Sequence, residues 1–375
     1  MRVVQLSCYR DPQRRPGAEL LEAWSTLWIT AEAAAGAGVG VTVVHAAWRD
    51  EIVERNGIRY HFVAEPGLEV GGAVGRLAGL RARRLLARVR EARPDVVHLQ
   101  GLGFPVQTRA VAATGVPVLV QDHADKVPRG WRIPLYRWGH ARTAGFTFTS
   151  AAQAEPFRAA RILSPDTPVF EVLESSSFFT RGDVESARGE MGIHGDPCLL
   201  WIGRLDDNKD PMTVLDALSA AADRLPGARL WMVFHEAPLE AEVRARIDGD
   251  ERLRGRVTLL GRVPHARVET LCRAADFLVA ASHREGSGYA LLEALACGAT
   301  PLATDIPSFR RATRGGEVGA LYPVGDRARL AELLVAWAAK DRAVLRRAAH
   351  AHFDAHLSLA AVGRELRAAY QAVAR

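Results

Sequence analysis

Short apolar runs alternate with helical patterns along almost the whole chain, and the alternation breaks once and restarts. Runs at 2–6, 40–45, 95–100, 116–121 and 145–149 read as buried strands, with helical segments such as 18–35 and 104–113 between them. A further run at 168–173 leads into a serine- and phenylalanine-bearing turn at 175–180. The second series follows at 198–202, 228–234, 256–260, 276–280 and 300–303. Strand–helix alternation at this spacing predicts an α/β protein whose parallel sheets are covered on both faces. Two series predict two Rossmann-like, doubly wound domains, residues 1–174 and 182–355, with 375 residues suiting two cores better than one. In such sheets ligands bind at the carboxyl ends of strands, so a cleft across which the domains face each other is the expected site. The end of the chain is helical, at 327–339, 342–355 and 357–374. Residues 356–375 have no strand partner and are expected to bridge back and pack on the N-terminal domain.

Several function classes are disfavoured. Cys8, Cys198, Cys272 and Cys297 are widely spaced, with no CxxC pair and no Cys/His cluster, which argues against a disulfide framework and a metal centre. Met1-Arg-Val-Val-Gln-Leu-Ser7 runs straight into a strand with no leader, and the apolar region 26–47 is interrupted by Glu32, Gly36, Gly38 and Gly40. A cytoplasmic protein is expected. The net charge of +6 fits acidic partners without choosing among them, and no nucleic-acid partner is read from it. Gly36-Ala-Gly-Val-Gly40 has the look of a dinucleotide fingerprint but follows a helix and precedes a strand, the wrong order. No serine elbow and no HExxH spacing occurs.

Residues 76–93 hold seven arginines against one glutamate. On a helical wheel Val74, Ala78, Ala82, Leu85, Leu86 and Val89 gather on a core side, while Leu77 and Leu80 fall among the arginines. A solvated basic face is one reading. A peripheral contact with anionic membrane through Arg76 to Arg93 is the other.

The stretch His283-Arg-Glu-Gly-Ser-Gly-Tyr-Ala-Leu-Leu-Glu-Ala-Leu-Ala-Cys-Gly298 is expected to be a glycine turn after a strand, then a helix closed by Gly298. Amides of a helix's first turn make an anion site. Glu285 lies before the helix and Glu293 in its second turn, with no other charge between 289 and 297. A carboxylate in so apolar a segment needs a partner, which places Glu293 on a ligand site. Earlier, Ile202-Gly203-Arg204-Leu205 with Asn208-Lys209 ends another strand, where two cations suit a diphosphate. The bland alternative pairs Arg204 and Lys209 with Asp206, Asp207 and Asp210. His123, after the strand at 116–121, is either structural or reaches the ligand.

These residues resemble the retaining GT-B glycosyltransferases of family 4, glycosyl transferases group 1. The resemblance is carried by Glu285-x7-Glu293 with its Gly-x-Gly turn, by Glu-Ala-Leu-Ala-Cys-Gly298 with Pro301, and by Leu200-Trp-Ile-Gly-Arg-Leu205 with Asn208-Lys209. Val257-Thr-Leu-Leu-Gly-Arg-Val263 is similar to the family's base-binding strand and turn. Pro94-Asp-Val-Val-His98 and the His123 loop match more loosely. The resemblance implies transfer of a sugar from a nucleoside-diphosphate sugar to an acceptor hydroxyl, with retention and without a metal or other cofactor. It implies that Glu285 holds sugar hydroxyls, Glu293 the ribose, and Arg204 and Lys209 the diphosphate. Gly203 and the amides of Gly286, Ser287, Gly288 and Tyr289 would add donors, Val263 would meet the base, and His123 would contact the sugar. Asp248-Gly-Asp250, which looks like the DxD of a different glycosyltransferase fold, closes a helix and reads as a turn. Where relatives often carry a Gly-Gly pair after the first strand, this chain has Tyr9-Arg-Asp-Pro-Gln-Arg-Arg-Pro-Gly17; either its arginines take an acidic acceptor or the acceptor site is built differently. Two other functions share these features: a sugar-nucleotide epimerase of the same fold, and a nucleotide-sugar-binding protein without turnover.

Overall fold

The structure, a computed structural model, describes residues 1–24, 26–65 and 82–374. The chain forms two compact units: Met1–Ser175 together with Leu359–Arg375, and Ser176–Ser358.

The first unit holds strands β1 (Arg2–Ser7), β2 (Gly40–Ala47), β3 (Glu51–Arg55), β4 (Ile58–Ala64), β5 (Val96–Gln100), β6 (Val118–Gln121), β7 (Gly145–Phe148) and β8 (Val169–Glu171). They lie in the order β3-β4-β2-β1-β5-β6-β7-β8, parallel except for β3 against β4. Central strands such as β6 (VLVQ) are buried throughout, which is why they read as continuous apolar runs rather than alternating ones. Two cores flank the sheet. Leu85, Val89, Val111, Tyr136, Phe146 and Phe157 share one, whereas Leu20, Leu21, Ala31, Tyr60 and Phe62 form the other. The terminal helix Leu359–Val373 packs on the helix Thr26–Gly36. Their approach is so close that a Cβ on Gly363 would lie 2.1 Å from the Ala33 carbonyl oxygen.

The second unit holds β9 (Cys198–Ile202), β10 (Arg229–Val233), β11 (Val257–Gly261), β12 (Phe277–Ala280), β13 (Thr300–Thr304) and β14 (Ala320–Tyr322). The order β11-β10-β9-β12-β13-β14 is fully parallel. Chain order reverses between β9 and β12, and between β1 and β5 in the first unit. These are the switch points at which loops from adjacent strands leave in opposite directions and open a crevice.

Four expectations need correction. The antiparallel hairpin β3–β4 turns at Asn56-Gly57, both at positive φ; the Asn-Gly turn signal is present in the sequence, but the alternating, half-exposed β3 carries no apolar run. The single helix expected at 18–35 is two, Gly17–Ala23 and Thr26–Gly36. The run at 168–173 forms only the three-residue strand Val169–Glu171. β14 was not anticipated because it is only three residues long. Of the basic segment, Val74, Leu77, Ala78 and Leu80 lie outside the described residues, and the helix Arg83–Glu91 is described. Leu85 and Val89 are buried on its core side. Arg84 pairs with Asp50 at 2.6 Å and Arg88 with Glu91 at 2.7 Å. Among the described residues no helix is long and apolar enough to cross a membrane.

Candidate functional site

In the second unit the loops after β9 and β12 are stitched together at the switch point. Asp206 folds the first loop by accepting the Lys209 amide at 2.9 Å. Asp210, in the left-handed region at φ 43°, caps the helix Pro211–Ala221 through the Thr213 amide at 3.1 Å and hydroxyl at 2.7 Å. Across the crevice, the His283 amide donates to the Asn208 carbonyl at 2.8 Å, and Asn208 Nδ2 donates to the Arg284 carbonyl at 3.1 Å. His283 Nε2 lies 3.2 Å from Asp210 Oδ2. The join closes on an ion pair between Lys209 Nζ and Glu285 Oε1, residues 76 positions apart.

The two cations of the loop therefore differ. Lys209 and Glu285 are 21% and 14% exposed, so their attraction is only partly screened. Arg204 is 47% exposed; its Nε sits 3.1 Å from Asp206 and its Nη1 3.7 Å from Glu236. Arg204 thus takes the surface pairing that the sequence left open, with Asp206, whereas Lys209 takes a carboxylate from the other loop. Gly203 makes room for this: a Cβ there would be 3.2 Å from both the Lys209 stem and Trp201.

The second loop turns at Gly288, the N-cap of the helix Tyr289–Cys297, at φ 75°. A Cβ on it would be 2.5 Å from Phe309, so space as well as conformation requires glycine. Ser287 is buried, Gly286 half-buried and Tyr289 exposed. The loop's base is held by the Thr304 hydroxyl donating to the Ser282 carbonyl at 2.6 Å and by the Tyr322 hydroxyl donating to the Ala280 carbonyl at 3.0 Å.

Glu293, one turn further, finds a partner that sequence reasoning missed. Its Oε1 lies 2.7 Å from His265 Nε2, at the start of the helix His265–Ala274. The hydrogen bond to Glu293 holds the His265 imidazolium above its usual pKa. Val263, half-buried, lies in the turn between β11 and that helix, so it comes to the same strand-end side. The signal for His265 was its place at a helix start just beyond a strand. Asp250 takes no part: it bonds Ser219 at 2.7 Å and Arg246 at 2.8 Å, a structural role.

The first unit arranges its polar groups otherwise. His123 follows β6, its Nδ1 2.8 Å from Glu174 Oε2 and its Nε2 2.8 Å from Gln100 Oε1. Burial alone would lower its pKa, but the hydrogen bond and charge of Glu174 raise it. Gln100 Nε2 in turn approaches His98 Nδ1 at 3.5 Å, and His98 Nδ1 meets the Tyr370 hydroxyl at 2.8 Å. Gln5 Nε2 donates to that hydroxyl at 3.4 Å, and the Thr30 hydroxyl donates to Gln5 Oε1 at 3.1 Å. Burial pushes the His98 imidazole down to about 3, so it stays neutral. Asp122 beside His123 is pushed up to about 7, chiefly by burial.

The loop after β1 is built on Trp48. Its indole donates to the Asp11 carbonyl at 2.6 Å, and the guanidinium carbons of Arg10 and Arg14 lie 3.7 and 4.2 Å from its ring centroid. Arg15 is committed to Asp11, at 2.9 and 3.0 Å, which holds that carboxyl at about 2.

Two Rossmann-like sheets, with cationic and acidic loops meeting at a switch point of the second, fit the GT-B class of glycosyltransferases. Residues 196–340 match the family described as Glycosyl transferases group 1, and residues 25–167 match Glycosyltransferase Family 4. The chain belongs to this family of GT-B glycosyltransferases. It is 30% identical over 248 residues to a GDP-mannose:cellobiosyl-diphosphopolyprenol alpha-mannosyltransferase of Xanthomonas campestris, covering 63% of this chain and 62% of the relative. It is 34% identical over 165 residues to a phosphatidyl-myo-inositol mannosyltransferase of Mycobacterium leprae, covering 42% and 43%. The matches thus span under two thirds of these relatives' length. In fold, the sucrose-phosphate synthase of Thermosynechococcus elongatus superposes with a TM-score of 0.69 at 19% identity, covering 99% of this chain and 98% of the other. Anabaena HepE, in complex with UDP and glucose, superposes with a TM-score of 0.66 at 17% identity, covering 99% of each.

Proposed function

We propose that this chain transfers a hexosyl group from a nucleoside-diphosphate sugar to an acceptor hydroxyl, with retention and without a metal ion. The observation that carries this reading is the interlocked pair of loops at the β9/β12 switch point, which brings Lys209 and Glu285 together, with Arg204 on the same loop as Lys209 and paired with Asp206. In this reading Lys209 and Arg204 neutralise charge that builds on the departing diphosphate, with Gly203 giving the backbone room to approach. Amides of Gly286, Ser287, Gly288 and Tyr289 add donors to phosphate and sugar. Glu285 accepts from sugar hydroxyls, Glu293 exchanges His265 for the ribose hydroxyls, and the backbone at Val263 meets the base. His123 contacts the sugar after giving up Gln100. The acceptor oxygen attacks the face from which phosphate leaves, and that phosphate takes the acceptor's proton.

Donor chemistry is a GDP- or UDP-hexose, the first named for the Xanthomonas relative and UDP with glucose present in the HepE structure. An acceptor carrying a phosphate suits Arg10 and Arg14 beside Trp48, and the relatives' acceptors are diphosphopolyprenol- and phosphatidyl-linked. A cytoplasmic or membrane-peripheral place fits such donors. The test is a thermal-shift screen against UDP, GDP and their hexoses, followed by nucleotide release from any stabilising donor. A donor that raises the melting temperature of the wild type but not of Glu285→Gln supports the site. No shift with any nucleoside diphosphate would overturn it.

A further inference from the structure

The helix Arg132–His140 commits one side to the core and leaves the other bare. Tyr136, Gly139 and His140 are buried, and a Cβ on Gly139 would lie 2.4 Å from the Pro105 Cβ and 2.5 Å from its carbonyl oxygen. That contact is too close for the helix to roll. The outward side carries the exposed Trp131 and Trp138 with the half-buried Leu135 between them, spaced four and three residues apart and so aligned in one row. Trp131 is 64% exposed, the highest value for a large apolar side chain among the described residues, and Trp138 is 47% exposed.

Charge around this row has one sign. From residue 126 to 154 the chain holds Lys126, Arg129, Arg132, Arg137 and Arg142 and no Asp or Glu. Lys126, Arg129 and Arg142 are exposed and have no carboxylate partner among the described residues. Arg137 donates to the Ala160 carbonyl at 2.9 Å and Arg132 to the Tyr136 hydroxyl at 3.0 Å, while Arg109 lies 5.5 Å from the Trp138 ring. The arginine-rich helix Arg83–Glu91 differs, since Arg84 and Arg88 there are already paired with acids.

We propose that this face docks on an anionic bilayer, with Trp131, Leu135 and Trp138 entering the headgroup layer and Lys126, Arg129, Arg137 and Arg142 meeting lipid phosphates. Indoles are stable where one end is apolar and the other wet, and cations beside them gain from the negative surface potential. An acidic protein would satisfy the cations but leave the apolar row without a phase to enter. The loop that carries His123 leads directly into this helix, so docking holds the β6 strand end at the lipid surface. The inference rests on no step of the transfer reaction, and its readout is lipid binding, so either can fail alone.

Flotation of the full chain with phosphatidylcholine vesicles, with and without phosphatidylglycerol, tests it. Wild type is expected to float with the mixed vesicles at low salt, to release as salt rises, and to stay down with phosphatidylcholine alone. Trp131→Ser with Trp138→Ser is expected to bind roughly tenfold more weakly at an unchanged melting temperature. Arg129→Ser with Arg142→Ser is expected to lose about twentyfold. Should the tryptophan variant unfold, quenching of wild-type emission by brominated phosphatidylglycerol decides instead, and lack of quenching overturns the proposal. A tryptophan variant that floats like wild type overturns it too. Absence of flotation with retention on soluble polyglutamate would assign the face to an acidic protein.

Discussion

The two sheets share a plan and place their polar groups at opposite depths. In the second unit the charged residues stand in loops above the strand ends, cross-linked by short bonds among Asn208, Lys209, Asp210, His283 and Glu285. Each of these groups keeps some exposure, so a ligand can reach them and exchange their partners. In the first unit the chain of polar groups starts at the half-buried His123, bonded to Glu174, and runs beneath the strand ends through Gln100, His98 and Tyr370 to Gln5 and Thr30. Buried polar groups of that kind must stay satisfied. The stitched loops of the second unit are thus open to a charged ligand, whereas the buried part of the first unit's network, from Gln100 to Thr30, ties the terminal helix to its sheet.

The largest expected effect breaks or upholds the first half of that contrast. Lys209→Ala is expected to lower nucleotide release from the donor by roughly 100- to 1000-fold, the usual loss for a preorganised electrostatic donor. A rate near wild type would mean that the stitched loops are scaffolding only. The second half is tested by Gly363→Ala. Helix propensity alone would favour alanine by about 1 kcal/mol. The 2.1 Å approach to the Ala33 carbonyl opposes it, and overpacking costs typically 1–3 kcal/mol or more. A net loss of roughly 1–2 kcal/mol in urea unfolding is expected, and a gain would show that the terminal helix is not docked this way.

Smaller effects sharpen the picture. Tyr370→Phe removes the hydroxyl that meets His98 and should destabilise by about 1 kcal/mol, with the activity of the donor site little changed. Asp122→Asn tests depth through pH. The Asp122 carboxyl sits at about 7 when folded, against an ordinary value of 3.8. Between those values the folded chain keeps a proton that the unfolded chain has released, so this group's contribution to stability falls as pH rises. The melting temperature of Asp122→Asn relative to wild type should therefore improve from pH 5 to pH 8. An unchanged difference would place Asp122 in contact with water.

Legibility followed the same division. The stretch 283–298 and the segment from Ile202 to Lys209 each carry their chemistry within one loop, so strand, glycine turn, helix and charge could be read in line. Arg204 with Asp206 was one of the two pairings the sequence left open; what could not be read was the pairing between loops, Lys209 with Glu285 and Glu293 with His265. Trp131 and Trp138 belong to no motif in the sequence; the contact of Gly139 with Pro105 fixes which side of their helix faces the core. The β3–β4 hairpin escaped because a half-exposed edge has no apolar run to announce it.

Periodicity and local motif determined the α/β class, the two series of strands, the glycine turns and which loops carry charge, since these depend on residues near one another in the chain. Tertiary structure alone decided which of several acids each cation meets, and it gathered Gln5, Thr30, His98, Gln100, His123, Glu174 and Tyr370 into one network. Those partners come from separate strands and helices, and their meeting follows from sheet order and helix docking, which no local pattern encodes.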